Sequence, residues 1–353
     1  MKFRQLKQYV KFAGKLSLAK FTNRRIPLIV ILCVTNRCNL NCWYCYGEHP
    51  YRRNYPEFTT EELLNIIRSL HRLGTQILQL QGGEPLLRDD LPVIIGEARR
   101  LGMVCDMVTN GTLILRKPEV IHLLDRICIS LDGPPETNDR NRGEGTYARI
   151  VEGIRFACAC GLPVRISAVL TSASTIKDID WLVGFAYEHH VLLNFSPPFE
   201  FIAHFHSDKF KPHIIPDDQL RRLLRHIMQY KVDGTPIQFT KASYDIAIHW
   251  PFTYQKRIAR SYELPSGYVH PKCYHGDYVF FLDSDGSVYP CCNFWGRPKW
   301  NIRTNGLESL IVGLNREGCE ACYIPAYIDR NLFFDGRPRI WWNYLVQTVK
   351  ELL

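Results

Sequence analysis

Nowhere in this chain of 353 residues does an apolar run approach the ~18 residues that a membrane-crossing helix needs. A secretory signal is missing too. The N-terminus, MKFRQLKQYVKFAGKLSLAKF, is basic, but its apolar residues are scattered and no small-residue cleavage site follows. There is no internal repeat and no low-complexity segment, which sets aside solenoids and disordered tracts. Strong charge bias is also lacking. Lys+Arg exceed Asp+Glu by 9, an excess that suits an anionic substrate, a membrane surface or nucleic acid without choosing among them. What remains is an ordinary globular composition, 46% hydrophobic and 22% charged, enough for one large domain or a catalytic domain with an appendage.

Cysteine, by contrast, is plentiful. Thirteen cysteines exceed what packing alone asks of a protein in a reducing compartment. Without an export signal the expected location is the cytoplasm, where spaced cysteines hold metal more often than they form disulfides.

From residue 28 onward, strand and helix patterns alternate. Strands are expected at 28–34, 76–81, 103–109, 127–131, 164–170 and 191–196. Thr59-Thr60-Glu61-Glu62 opens a helix as a capping box and Gly74 closes it. Further helices are expected at 91–101, 118–124, 147–160, 176–190 and 216–231. Parallel strands need helical crossovers, so this order predicts an α/β fold. Six strands fall short of the eight that close a full barrel, and the expected architecture is a partial (β/α)6 TIM-like barrel over 28–236. Residues 1–27 are a basic N-terminal extension. Residues 237–353 are expected to form a small cysteine-rich domain with a C-terminal helix. That domain contains a hairpin, 278–282 and 287–289, turned by Asp285-Gly286.

Chemistry-bearing residues fall just after the strands, where barrels of this type keep their active sites. After strand 1 comes C-N-L-N-C-W-Y-C, with Cys38, Cys42 and Cys45. Three thiolates on a four-iron cubane leave one iron open for a ligand. The alternative is zinc, with Cys33 as fourth ligand, although Cys33 lies inside the strand. Gly82-Gly83-Glu84-Pro85 follows strand 2: the glycines allow close backbone approach to a ligand, and the carboxylate suits an ammonium. Thr109-Asn110-Gly111 follows strand 3, and Ser130-Leu131-Asp132-Gly133 follows strand 4, with Arg142 downstream. Asn110 and Ser130 also suit strand-end capping, and Arg142 a solvated loop. Asn194 and Ser196 end strand 6.

C-x3-C-x2-C with the aromatic Tyr44 before the last cysteine resembles the radical S-adenosylmethionine (SAM) superfamily over roughly residues 28–200. The resemblance implies a [4Fe–4S] cluster on Cys38, Cys42 and Cys45 whose open iron chelates SAM and cleaves it to a 5′-deoxyadenosyl radical. It implies that Tyr44, Gly82, Gly83 and Glu84 line the SAM site. Asn110, Ser130 and Arg142 would join them, with Ser130 and Arg142 on the ribose or carboxylate; a guanidinium pairs well with a carboxylate. It also implies an electron donor such as ferredoxin or flavodoxin. Further on, Cys273, Gly286, Cys291 and Cys319-x2-Cys322 resemble the twitch form of the SPASM auxiliary-cluster domain. Four thiolates would close a second [4Fe–4S] cluster; four-thiolate zinc is the alternative, and Cys292 is the rival of Cys291. Cys105, Cys128, Cys158 and Cys160 read as core residues.

The expected function is an oxidoreductase-type radical SAM enzyme acting on a small molecule, sugar or lipid, with the second cluster accepting an electron. Only 27 residues precede strand 1, too few for a peptide-binding domain, so modification of a ribosomal peptide or protein is the alternative. A non-catalytic iron–sulfur or zinc scaffold is a further one. No nucleic-acid partner is expected. Residues 1–20 carry six Lys/Arg among apolar residues, and the tail holds Trp341, Trp342 and Tyr344. Each end reads either as an interfacial helix on the inner membrane face or as packing on the barrel.

Overall fold

The structure is a computed structural model that describes residues 2–45, 56–198, 215–231, 235–295, 300–314 and 318–336. The tail with Trp341 and Trp342 lies outside them. In chain order the barrel half contains α1 (Lys2–Phe21), β1 (Ile29–Thr35), α2 (Thr60–Leu73), β2 (Ile77–Gly82), α3 (Leu91–Arg100), β3 (Val104–Thr109), α4 (Pro118–Ile121), β4 (Arg126–Ser130), α5 (Pro135–Arg142), α6 (Thr146–Ala159), β5 (Val164–Val169), α7 (Ile176–Glu188), β6 (Leu192–Ser196) and α8 (Asp217–Gln229). Then come α9 (Lys241–Ile248), β7 (Ile258–Ala259), β8 (Val279–Leu282), β9 (Val288–Tyr289), α10 (Ile302–Asn305), α11 (Leu307–Gly313), β10 (Ala321–Cys322) and α12 (Pro325–Phe334).

The large sheet runs β6-β5-β4-β3-β2-β1-β8-β9 and, among the described residues, does not close. All of its pairings are parallel except β8 with β9. The expected six strands are present. A seventh parallel strand, β8, comes from the expected C-terminal hairpin and lies against β1, Ile29 opposite Val279 and Ile31 opposite Phe281. A two-stranded hairpin is marginal alone and β1 would otherwise expose an edge, so the pairing serves both. Segment 237–353 therefore contributes to the barrel sheet itself.

Strand alternation sorts the side chains. Val30, Leu32, Leu78, Leu80, Met107, Ile127 and Ile166 face the helices with Leu63, Ile67 and Ile94, all buried in one core. The opposite face lines the lumen; it is apolar on β1 and β8, where Ile31, Cys33, Val279 and Phe281 lie, and largely polar from β2 to β6. There Asp106 meets Arg165 at 2.6 Å and Arg126 at 3.2 Å. Burial pushes its carboxyl up, but the two guanidinium groups outweigh that and hold it below the ordinary range. Cys105 is on the helix face; Cys128, on the lumen face, has its thiol pushed up by burial.

The capping box of α2 is present: Thr59 accepts from the Glu62 N–H at 3.2 Å and Glu62 accepts from the Thr59 N–H at 2.7 Å. Gly74 closes the helix at φ 111°. Helix α1 lies across the N-terminal ends of the strands. Gln8 donates to Met103 O, just before β3, and Lys15 to Gly74 O, just before β2. Its Phe12, Leu16 and Ala19 join Ile31, Cys33, Val279 and Phe281 in a second core. Cys33 is thus a core residue, its Sγ 3.7 Å from Gln81 Nε2 on the neighbouring strand. No helix among the described residues is long and apolar enough to cross a membrane.

Candidate active site

The cysteine loop starts where β1 ends. Thr35 Oγ1 and the Asn36 N–H both donate to Glu57, at 2.7 and 2.6 Å. Beyond β2, the Gly83 N–H donates to Thr35 O and the Glu84 N–H to Arg37 O, each at 2.8 Å, extending the ladder into the loop. This explains the glycines. A Cβ on Gly82, whose φ is +154°, would lie 2.2 Å from Thr35 O, and one on Gly83 would lie 2.1 Å from Arg37 O. The neighbour that demands glycine here is the base of the cysteine loop.

Glu84 is wholly buried. Its carboxylate accepts from Thr109 Oγ1 at 2.7 Å, the Asn110 N–H at 2.8 Å and the Leu86 N–H at 3.1 Å. Burial raises its pKa to about 6 against the pull of those donors. In this structure the side chain ties the end of β2 to the end of β3. Asn110 continues the chain of contacts: its Nδ2 donates to Asn39 Oδ1 at 2.9 Å and lies 3.9 Å from Cys38 Sγ. Asn39 donates in turn to Thr112 Oγ1 at 2.9 Å.

The far side of the loop is held by Asp132, a residue that sequence reasoning passed over. Asp132 accepts from Tyr44 OH at 2.6 Å, Arg142 Nη2 at 2.8 Å and the Val169 N–H at 3.1 Å. Trp43 donates to Asn141 at 3.1 Å, and the Arg142 guanidinium stands 5.6 Å from the Tyr44 ring centroid. Arg142 is buried beside this carboxylate rather than in a solvated loop, with its Nε lacking a hydrogen-bond partner. The signal for Asp132 was there: a carboxylate two residues past the end of a buried strand needs a cation or several donors.

Cys38 is exposed, and Cys42 and Cys45 are half-buried. Burial raises the thiol pKa of Cys38 and pushes that of Cys42 up to about 12, although Arg142 pulls the latter down. Ser130 faces the lumen beside Ser167, its pairing partner on β5. Ser167 donates to Asn194 at 2.9 Å, and Asn194 to Gln238 at 3.4 Å. Arg330 reaches into the lumen from α12 to Gln79, at 3.4 Å.

Cys273, Cys291, Cys319 and Cys322 line one small cavity, shared with His270, His275 and Tyr327. Cys292 points elsewhere, its Sγ 2.5 Å from Tyr327 OH. Burial raises the thiols of Cys291 and Cys322 well above their ordinary range, and neighbouring thiols add to the effect. Gly286, at φ +95°, lets the β8–β9 turn pass Asn301, whose Oδ1 a Cβ would meet at 2.6 Å. Both donor sets consist of soft thiols, three on one loop and four in one cavity, and that suits iron–sulfur clusters. Among the described residues, no three cysteine, histidine or carboxylate side chains converge as ligands of a metal ion.

A family model described as the Radical SAM superfamily matches residues 32–186. A protein of Methanococcus aeolicus named as a probable GTP 3′,8-cyclase is 30% identical over 235 residues, covering 62% of this chain and 78% of that protein. A protein of the same name from Archaeoglobus fulgidus is 35% identical over 169 residues, covering 46% of this chain, which spans only 55% of that relative. A PqqA peptide cyclase of Streptomyces rochei is 33% identical over 150 residues, 41% of each chain. Among solved structures, Streptococcus suis SuiB bound to its precursor peptide SuiA aligns with a TM-score of 0.63 at 19% identity, covering 88% of this chain and 69% of that one. That last likeness concerns the fold.

Proposed function

We propose, for a chain that belongs to the radical SAM superfamily, an enzyme that abstracts hydrogen from a polar substrate held in the barrel lumen. Cys38, Cys42 and Cys45 would hold the SAM-binding [4Fe–4S] cluster, and Cys273, Cys291, Cys319 and Cys322 the auxiliary one. Bound there, the clusters and SAM would supply one-electron chemistry at the mouth, with the second cluster available to take an electron leaving the substrate. The protein's part is positional. Asn39, Asn110 and Thr112 hold one side of the cysteine loop, while Tyr44, Asp132 and Arg142 hold the other. The Gly82-Gly83-Glu84 segment and Ser130 stand at the same rim and would flank SAM.

The observation that carries the substrate reading is the polar lumen face, with Gln79, Ser167, Asn194, Gln238 and Arg330. It favours a polar substrate over a lipid chain, because these groups can exchange bonds to one another for bonds to a polar occupant, whereas an apolar one offers them none. Two polar classes have support. A small polar molecule is favoured by similarity to proteins named for GTP. A peptide side chain is favoured equally by the relative named for PqqA.

Anaerobic reconstitution tests the enzyme. The expected result is about eight irons per chain and dithionite-dependent 5′-deoxyadenosine. Bound zinc without SAM cleavage would point instead to a scaffold. Cys38→Ala should abolish SAM cleavage, while Cys319→Ala should spare uncoupled cleavage and lose turnover. Dividing a cell extract into peptide and small-molecule fractions, and asking which accelerates 5′-deoxyadenosine release, separates the two substrate classes.

A further inference from the structure

Helix α1 buries one face and leaves the other open. Gln8, Phe12, Leu16 and Ala19 are buried against the barrel. At 100° per residue, Val10, Gly14, Ser17, Leu18 and Phe21 fall on the opposite side. Val10 is 66% exposed, Leu18 56% and Phe21 91%. Three large apolar side chains therefore form a stripe in water, with small residues between them. Lys11 and Lys20 flank it on either edge, both exposed.

The charge around the stripe has one sign. Residues 1–25 contain eight Lys/Arg and no Asp or Glu. Lys15 and Arg25 are engaged with the barrel, at 3.3 Å from Gly74 O and 3.2 Å from Asp277. Lys11, Lys20 and Arg24 are exposed, although Lys20 Nζ also stands 5.7 Å from the Tyr274 ring centroid. An apolar stripe between basic edges is the pattern by which a helix lies in a membrane interface, apolar face among the acyl chains and cations on anionic headgroups. We propose that the outer face of α1 docks this enzyme on an anionic lipid surface.

The fold then dictates which way the barrel points. Helix α1 touches backbone just ahead of β2 and β3, at the N-terminal ends of the strands, whereas the cysteine loop follows the C-terminal end of β1. Strands of this length separate the two levels by about 20 Å. An enzyme docked through α1 turns its mouth away from the bilayer and draws its substrate from the aqueous side. This placement holds whichever polar substrate class is right.

Flotation of the full chain with phosphatidylcholine vesicles, with and without about 30% phosphatidylglycerol, tests the docking. The chain is expected to float with the anionic vesicles only, and less as salt rises from about 0.1 to about 0.5 M. The double substitution Val10→Asp/Phe21→Asp touches only exposed positions and should reduce partitioning at least about tenfold, with SAM cleavage and thermal unfolding unchanged. Absence of flotation with anionic vesicles, or flotation that the double substitution leaves intact, overturns the proposal. So does a dimer in sedimentation that the same substitutions dissolve, which would assign the stripe to a second copy of the chain.

Discussion

Replacing Asp132 by Asn perturbs the cysteine loop without touching a cysteine. The carboxylate is buried and accepts four hydrogen bonds, from Tyr44, Arg142, Asn141 and the Val169 N–H. Burial works against the charge of Arg142, and the neighbouring Asp132 carboxylate more than offsets it. Asn keeps one acceptor oxygen, turns an amide donor toward groups that also donate, and leaves the guanidinium uncompensated. Breaking a buried pair from one side costs about 3–5 kcal/mol. Arg142→Met strands the carboxylate instead, though three donors remain to it, and should fall toward the lower end of that range. Removing both charges leaves one amide oxygen to serve Tyr44, Asn141 and the Val169 N–H, about 1–3 kcal/mol.

The double-mutant cycle therefore has a definite sign. Asp132→Asn with Arg142→Met should be less damaging than the sum of the two, with a coupling energy of at least about 3 kcal/mol. Anaerobic urea unfolding of the four proteins measures it. Iron content after reconstitution gives a second reading: Asp132→Asn should load the first cluster poorly, because the Tyr44 hydroxyl loses its carboxylate acceptor, whereas Arg142→Met keeps that bond and should load it better. A coupling below about 0.5 kcal/mol, or full iron loading in Asp132→Asn, would refute the role assigned to this carboxylate.

Three further outcomes are expected. Glu84 titrates near pH 6 in the folded chain because of burial. A carboxyl raised in the folded state contributes stability below its unfolded pKa and loses it as pH rises through the folded value. About 2 kcal/mol should thus disappear between pH ~4.5 and ~6, and Glu84→Gln should flatten that part of the urea-stability profile. Gly83→Ala places a methyl 2.1 Å from Arg37 O; it should cost about 1–3 kcal/mol and reduce iron loading at the first site, read by iron analysis against Gly96→Ala, where a Cβ meets nothing within 4 Å. Cys291→Ser should lose about four irons while Cys292→Ser keeps them, and equal losses would contradict the orientation of the two side chains.

The six barrel strands were legible because each has outward apolar residues at every second position and a helix on either side; observed ends differ from expectation by about one residue. The capping box at Thr59 and the closing Gly74 were legible for the same local reason. Three features were not. Helix α5, PETNDRNR, has no apolar stripe; it is fixed by buried polar contacts such as Thr137 to Asp178 at 2.6 Å and Asn138 to Thr146 at 3.0 Å. The pairing of β8 with β1 joins residues about 250 positions apart, beyond any local pattern. The part played by Asp132 depends on Tyr44 and Arg142 arriving from different segments. The motif residues themselves were readable, but their partners were not. Sequence predicts that Gly82, Gly83, Glu84 and Arg142 sit near one rim; only the structure shows that they brace the cysteine loop.

The same long-range pairing ties the two thiol sets together. Cys273 precedes β8 and Cys291 follows β9, so the cavity closes over both ends of one hairpin. That hairpin is held to β1 through four paired positions, Ile29 to Leu32, three residues before the chain enters the cysteine loop. Loading the second site would restrain the hairpin, and the hairpin in turn covers the edge of β1, a strand that carries the first site at its tip. The spacing between the two sites is then fixed by a continuous parallel sheet rather than by a linker. A cut near residue 237 would strip β8 from β1 and expose that edge, so the barrel half alone should lose stability as well as its second set of thiols.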